Sequence, residues 1–277
     1  MKPVVAVIAP GAMGAAVAGR LTEAGLTVLT DLNGRSAASV KRASVARMTP
    51  VGTERLAEAD ILLSIVPPGE ALNLAKSLAS AFAGAPKKPL YVDCNAVNPE
   101  TVEIIAQVLA AAGIPFVDGG IIGGPPKAGM PGPAFYLSGE DAKDAAVLAE
   151  YGVDCHVLDG PVGAASALKM SYGGITKGLT ALGCIMILGS ARNGTAEALY
   201  RELKLSQPVL LAWFERQIPS MFPKAYRWVA EMEEVAGFVA DDAAGHEMYA
   251  AIAKFYERIA KDQDEETKRL ARFFSTP

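Results

Sequence analysis

The first 150 residues alternate short apolar runs with helical stretches, and this alternation constrains the fold more than any other feature of the chain. Residues 4–8 are wholly apolar and are closed by Pro10 and Gly11, the pattern of a strand buried on both faces. Residues 15–24 read as a helix stopped by Gly25, and 27–30 as a second strand. Further strands are predicted at 61–66, 90–92, 115–117 and 134–137, with helices at 53–59, 71–83, 99–112 and 142–150. A strand about every 25–30 residues, with a helix between, predicts a parallel sheet with helices on both faces.

After Gly163 the strand signals stop. One long helix is predicted over 164–191, followed by helices near 195–203, 207–216, 219–237, 242–260 and 264–275. The chain is therefore expected to be α/β over residues 1–161 and all-helical over 162–277, the two joined by the long helix. With 51% hydrophobic and 20% charged residues it has ample material for a core and none of the character of a disordered chain. The net charge of −4 comes without a basic block, so no nucleic-acid partner is expected. Cys94, Cys155 and Cys184 are odd in number and far apart, which argues against a disulfide framework or a metal site and fits a reducing, cytoplasmic compartment. The uncharged run 178–191 is too short to span a bilayer and reads as a buried helix, so no membrane partner is expected. A tight turn inside the N-terminal apolar run argues against a signal peptide.

That turn is Ala9-Pro10-Gly11-Ala12-Met13-Gly14, set between a strand and a helix. This is the context of a dinucleotide fingerprint with Ala9 in place of its first glycine. Gly11 would let backbone approach a pyrophosphate, Gly14 would let helix pack on strand, and Ala12 and Met13 open the helix whose N–H groups face the anion. Just past the second strand, Asp31 could accept from a ribose 2′-hydroxyl, as NAD requires, whereas Arg35 and Ser36 on a glycine turn could grip a 2′-phosphate. The second pair favours NADP, with NAD possible.

Ser166, Lys169, Gly173, Thr176, Lys177 and Thr180 recur at steps of three and four along the long helix. They form one polar stripe, either a solvent face or the wall of a cleft. A free lysine, with its pKa of about 10.4, is a poor base at neutrality. Burial of Lys169 and the like charge of Lys177 would lower that value. The apolarity of the same helix predicts a homodimer through the helical domain.

Several motifs carry a family resemblance: Met13-Gly14, Val66-Pro67, the stretch from Asp93 through Asn95 to Pro99, the stretch from Asp118 to Gly124, and Gly160-Pro161-Val162-Gly163 followed by Lys169. In order and spacing these resemble the β-hydroxyacid dehydrogenase family, related to 6-phosphogluconate dehydrogenase and the imine reductases. The likeness runs to about residue 190. The tail, with Trp228, Glu231-Met232-Glu233-Glu234 and Gly245-His246, resembles the C-terminal domain of a 6-phosphogluconate-dehydrogenase-like subgroup. The resemblance implies an N-terminal Rossmann-type, doubly wound sheet and an NADP-dependent oxidoreductase acting on a β-hydroxy acid or related β-substituted acid. It implies that Val66 and Pro67 border the cofactor ribose and nicotinamide, and that Asn95 touches the nicotinamide end with its amide in place of the family's serine. It implies that Ile122, Gly123 and Gly124 meet a small-molecule substrate, with Ile122 where the family carries serine. Lys169 takes the role of general acid/base. Gly173 stands where the family has asparagine and would make room for a bulky substrate, and His246 could reach a partner's cleft in a dimer. The competing readings are an imine reductase, against which Lys169 argues, and an oxidative decarboxylase of a phosphosugar acid, for which Lys127, Lys177 and Arg192 are the available cations. A nucleotide-sensing protein that kept the fold is the non-enzyme reading.

Overall fold

The computed structural model describes residues 2–126, 130, 132–261 and 263–275. Two compact units divide at Met170/Ser171. The first is built on strands β1 (Val5–Ile8), β2 (Val28–Thr30), β3 (Thr49–Pro50), β4 (Ile61–Ser64), β5 (Leu90–Asp93), β6 (Phe116–Ile122), β7 (Ala134–Ser138) and β8 (Asp154–Val157). They form one sheet in the order β3-β2-β1-β4-β5-β6-β7-β8. The intervening helices are α1 (Ala12–Glu23), α2 (Ala37–Val45), α3 (Ala71–Ala81), α4 (Pro99–Ala111) and α5 (Ala142–Ala145).

The apolar runs are strands because both of their faces are covered. Val5, Val7, Ile61, Leu63 and Val92 point into one buried layer with Ala15, Val17, Ala18 and Leu21 of α1. Ala6, Ile8, Leu62 and Tyr91 point into the other with residues of α3 and α4, including Ala75, Leu78, Val102 and Ile105. Each strand therefore feeds both layers by simple alternation. The chain runs outward from β1 to β2 and β3, then returns to place β4 on the other side of β1. At such a reversal the loops beyond the strands' carboxyl ends splay apart and leave a crevice.

The fold is doubly wound, as expected, with one correction to the parallel sheet. β7 pairs antiparallel with β6, while every other pair is parallel. The connection from Ile122 to Ala134 is too short to carry a crossover helix, so the chain turns back beside the strand it has just left. Helix α2 and strands β3 and β8 were not anticipated, and the stretch 142–150 is a short α-helix followed by a 3-10 turn over Ala146–Tyr151.

The second unit contains the later part of α6 (Ala164–Arg192), then α7 (Ala196–Ser206), α8 (Pro208–Met221), α9 (Ala225–Phe238), α10 (Ala243–Lys261) and α11 (Gln263–Phe274). Tyr256 of α10 donates to the Lys177 carbonyl at 2.6 Å. The Tyr249 side chain lies against Gly174, where a Cβ would stand 3.0 Å from its hydroxyl, and passes beside Gly178. The reading of 178–191 as a buried helix needs correcting. Cys184, Ile187 and Leu188 are buried, but Leu182 and Met186 on the other face are each 55% exposed. By length and composition alone α6 is apolar enough to cross a bilayer.

Candidate active site

The phosphate turn leaves β1 and enters α1 with no side-chain cap. Gly11 is the N-cap residue, at φ −69° and ψ −172°, and the Gly11 N–H donates to the Ala9 carbonyl at 2.8 Å. The first-turn N–H groups of α1 thus remain for an anion. A Cβ on Gly14 would stand 2.1 Å from the Ala9 carbonyl oxygen, so only glycine lets α1 sit this close to the turn. Around Gly11 a Cβ would meet nothing within 4 Å, leaving its surroundings open to a ligand. One glycine serves packing and the other access, the two roles a dinucleotide turn asks of them.

Beyond β2, the Asp31 carboxylate accepts from the Asn33 N–H at 2.8 Å with one oxygen and from the Thr53 hydroxyl at 2.5 Å with the other. Gly34 takes a positive φ of 68°, which turns the chain and leaves Arg35 exposed. Ser36 is the N-cap of α2, its hydroxyl oxygen accepting from the Ser39 N–H at 3.3 Å. Arg42 escaped sequence reasoning. Its Nε donates to the Pro10 carbonyl at 2.9 Å and its Nη2 to the Ser39 hydroxyl at 2.8 Å, tying the phosphate turn to the start of α2. The Ser39–Arg42 spacing on a capped helix was the available signal, but it needed α2 to be recognised first.

The carboxyl ends of β4 and β5 supply the next wall. Asn95 is buried and its amide faces inward. Its Oδ1 accepts from the Val66 N–H at 2.7 Å and its Nδ2 donates to the Ser64 hydroxyl at 2.9 Å. The amide therefore holds the Val66-Pro67 loop in place, a different use from the expected nicotinamide contact. The Asn95 N–H donates to Asp93 Oδ1 at 2.9 Å, closing a tight turn after β5.

Lys169 is brought to this edge by the anchoring of α6. Asp118, buried on β6, accepts four hydrogen bonds: from the Gly163 and Ser166 N–H groups at 3.0 Å each, and from the Ser166 and Ser138 hydroxyls at 2.7 and 3.1 Å. This carboxylate caps α6 from another strand, where its charge also meets the positive end of the helix dipole. Gly120 lets the helix lie on β6, since a Cβ there would be 2.7 Å from the Ala165 carbonyl oxygen. Thus fixed, Lys169 donates from Nζ to the Asn95 and Cys94 carbonyls at 3.1 and 3.4 Å. Ile122, Gly123 and Gly124 follow at the end of β6. Gly123 has a positive φ of 128° and, like Gly124, is exposed, with nothing near Gly124 that a Cβ would meet.

Two burial effects bear on this region. Burial, opposed by the Asn95 N–H and reinforced by the nearby Asp118 charge, pushes the Asp93 carboxyl up to about 7. Burial also raises the Cys94 thiol, which disfavours its thiolate.

Gly173 and His246 belong to the second unit. A Cβ on Gly173 would meet Lys177 Nζ at 3.2 Å, so the space above this glycine is claimed by a lysine. Lys177 in turn pairs with Glu231 at 2.9 Å and lies over the Trp228 ring. The like charge expected to press on Lys169 is therefore offset by a partner. His246 is exposed on α10, its Nδ1 3.0 Å from the Ala236 carbonyl, at the rim of a groove with Glu233, Lys254 and Glu257. His156 is a surface residue beside Asp154, stacked on Tyr136. Lys127 lies outside the described residues.

Comparison with known proteins places this arrangement. Residues 4–158 match the family described as the NAD binding domain of 6-phosphogluconate dehydrogenase. Residues 191–259 match a domain of unknown function (DUF1932). An uncharacterised 28.5 kDa protein of Methanothermus fervidus is 34% identical over 123 residues, 44% of this chain and 45% of that protein, so the match spans less than half of either. Among solved structures, the conserved protein MTH1747, of unknown function and described as similar to 3-hydroxyacid dehydrogenases, superposes with a TM-score of 0.73 at 26% identity, covering 96% of this chain and 98% of that one. The 3-hydroxyisobutyrate dehydrogenase of Mycobacterium tuberculosis, solved with L-serine, shares the fold with a TM-score of 0.71 at 18% identity, covering 98% and 99% of the two chains. With its phosphate turn, its sheet order and more than half its length accounted for in this way, the chain belongs to the family built on the NAD-binding domain of 6-phosphogluconate dehydrogenase and has the fold of the 3-hydroxyacid dehydrogenases.

Proposed function

We propose that this protein is an NADP-dependent dehydrogenase or reductase that interconverts a β-hydroxy acid, or a related β-substituted acid, and its oxidised counterpart, with Lys169 as general acid/base. The observation that carries the reading is the seat of Lys169. An ammonium on the Asn95 and Cys94 carbonyls stands at the carboxyl end of β5, in the same sheet as β1, whose end carries the Gly11–Gly14 turn, with β4 between them. A proton donor and acceptor at the strand ends of a dinucleotide-binding sheet is what alcohol–carbonyl chemistry requires.

The turn from Gly11 to Gly14 fits a pyrophosphate, by its packing glycine, its open glycine and its uncapped helix. When bound, the nicotinamide supplies or accepts the hydride. The protein's own residues do the rest. Lys169 gives a proton to the substrate oxygen in reduction and takes it back in oxidation. The backbone of Gly123 and Gly124 offers N–H groups to a carboxylate, with Ile122 beside them. Arg35, exposed beyond the Gly34 turn, favours a 2′-phosphate, and Asp31 is already occupied by Asn33 and Thr53. Apolar residues on α6, among them Ile175, Leu182 and Met186, are more than half exposed and support a homodimer through this helix. Light scattering at micromolar concentration tests that association, and a monomer would contradict it.

The function is tested by following nicotinamide absorbance over a panel of hydroxy acids with both cofactors. On the best substrate, Lys169→Ala should lower turnover by about 10²–10⁴, the usual worth of a positioned acid/base. Cofactor affinity should change little. Near-normal turnover in the variant would remove Lys169 from the chemistry.

A further inference from the structure

Asp93 is fully buried at the end of β5, immediately before the two residues whose carbonyls seat Lys169. Its Oδ1 accepts the Asn95 N–H, which shapes that seat. Its Oδ2 is buried with no hydrogen-bond partner among the described residues. An asparagine in this place could make the same turn through its amide oxygen. What the aspartate adds is a titratable charge, and a buried carboxylate oxygen without a donor is costly to keep unless something answers that charge.

The groups that face it identify the answer. On β6, Asp118 sits in register with Asp93, but its own charge is met by four donors at the start of α6. On β5 stands Tyr91, and just after it Cys94, and burial raises both of these groups. On β4, Ser64 is engaged with Asn95. From α6 comes Lys169, the cation whose field favours the Asp93 carboxylate, against burial and against Asp118.

We propose that Asp93 is the positioning residue of Lys169: its carboxyl shapes the carbonyl seat and, through its own charge, sets which protonation state of Lys169 is favoured at the sheet edge. The coupling stands independently of any substrate. Its consequence for turnover rests on the reading of Lys169 as acid/base. Burial pushes the Asp93 carboxyl up to about 7, which places the coupling near neutrality.

The test uses the full chain without substrate. Lysines are reductively methylated with ¹³C-formaldehyde, and the Lys169 signal is assigned by its loss in Lys169→Met. In the parent, this signal should show a step near pH 7, reporting the Asp93 carboxyl. In Asp93→Asn the step should vanish. A step that persists in the variant, or none in the parent, overturns the proposal. Should Asp93→Asn not fold, the coupling is read from the other side. The carboxyl midpoint of Asp93, followed by ¹³C-aspartate labelling, should rise by about one unit or more in Lys169→Met, since a nearby opposite charge holds a carboxyl down by about that much. An unchanged midpoint overturns the proposal equally. If no hydroxy acid is turned over, the proposed activity fails while the titrations still decide the coupling. Where turnover is found, Asp93→Asn should lose the limb near pH 7 from its kcat profile with the cofactor KM unchanged.

Discussion

The two glycines of the phosphate turn should respond in opposite ways to the same methyl group. At Gly14, a Cβ would stand 2.1 Å from the Ala9 carbonyl oxygen and 3.2 Å from its carbon, and real Cβ atoms essentially never approach within 3.0 Å. The obstacle is backbone at the end of a central strand, so relief requires α1 to move off β1. Overpacking of this kind costs about 1–3 kcal/mol, or about 2–12 °C in Tm for a unit of this size. Gly11 has an extended backbone that alanine adopts without strain, and open space where its Cβ would go. Alanine caps a helix less well than glycine but narrows the unfolded ensemble, effects of opposite sign and about 1 kcal/mol or less each. Gly11→Ala should therefore keep the parent Tm within about 2 °C.

Cofactor binding should be the reverse for Gly11→Ala. The added methyl holds a pyrophosphate away from the turn, and each lost charge-assisted N–H contact is worth about 1.5–3 kcal/mol, or roughly 10- to 100-fold in Kd. Differential scanning fluorimetry of the apo proteins and NADPH fluorescence titration read the two effects separately. Parent-like NADPH affinity in Gly11→Ala would place the pyrophosphate elsewhere. A parent-like Tm in Gly14→Ala would mean that α1 is not held against this turn.

Arg35→Ala should weaken NADPH and leave NADH nearly unchanged. If the parent already binds NADH more tightly in a titration, Asp31 rather than Arg35 sets the preference. Asp118→Ala strands the Ser138 and Ser166 hydroxyls and the Gly163 and Ser166 N–H groups, and should cost about 3 kcal/mol or more in urea unfolding. A loss under 1 kcal/mol would show that α6 is anchored by other means. Asp93 gives a pH signature. Its pKa is raised from 3.8 unfolded to about 7 folded, so its contribution to stability is present at low pH and lost as pH rises through that window. Relative to the parent, Asp93→Asn should gain about 1.4 kcal/mol for each pH unit between about 4 and about 7. A stability difference that stays constant across the window would contradict the burial argument.

Much of this architecture can be read before folding, and the gaps have physical causes. Strands β1, β4 and β5 announce themselves because both faces are buried and, apart from Ser64 and Asp93 at the ends of β4 and β5, their positions are apolar. Strand β8 does not, since Asp154-Cys155-His156-Val157 is an edge strand largely open to solvent. Helix α2 is hidden by its low apolar content, with only Ala43 buried among its nine residues. The reversal of β7 depends on how long a connection must be to carry a helix, a property no single residue displays. Gly11, Gly14 and Lys169 stand out by local pattern. The inward amide of Asn95 does not, because its partners Val66 and Ser64 are distant in sequence and adjacent only across the sheet.

Asp93 and Asp118 show why side-chain type alone could not assign the site. They are identical residues, both buried, opposite each other on adjacent parallel strands. One meets the start of a long helix and receives four donors, so its charge is absorbed in fixing where α6 begins. The other accepts the Asn95 N–H and keeps a buried oxygen with no hydrogen-bond partner among the described residues. Their difference comes from α6 itself, whose first turn reaches Asp118 and whose next turn brings Lys169 over the carbonyls that follow Asp93. A single helix thus consumes one carboxylate as an anchor and leaves the other responsive to the lysine that the anchor positions. This separation of a structural charge from a responsive one arises only when strand register and helix packing act together, and it puts Lys169 and Asp93 under the control of Asp118. A change at Asp118 should therefore alter both the stability of α6 and the titration of Asp93, whereas a change at Asp93 should leave the helix anchor intact.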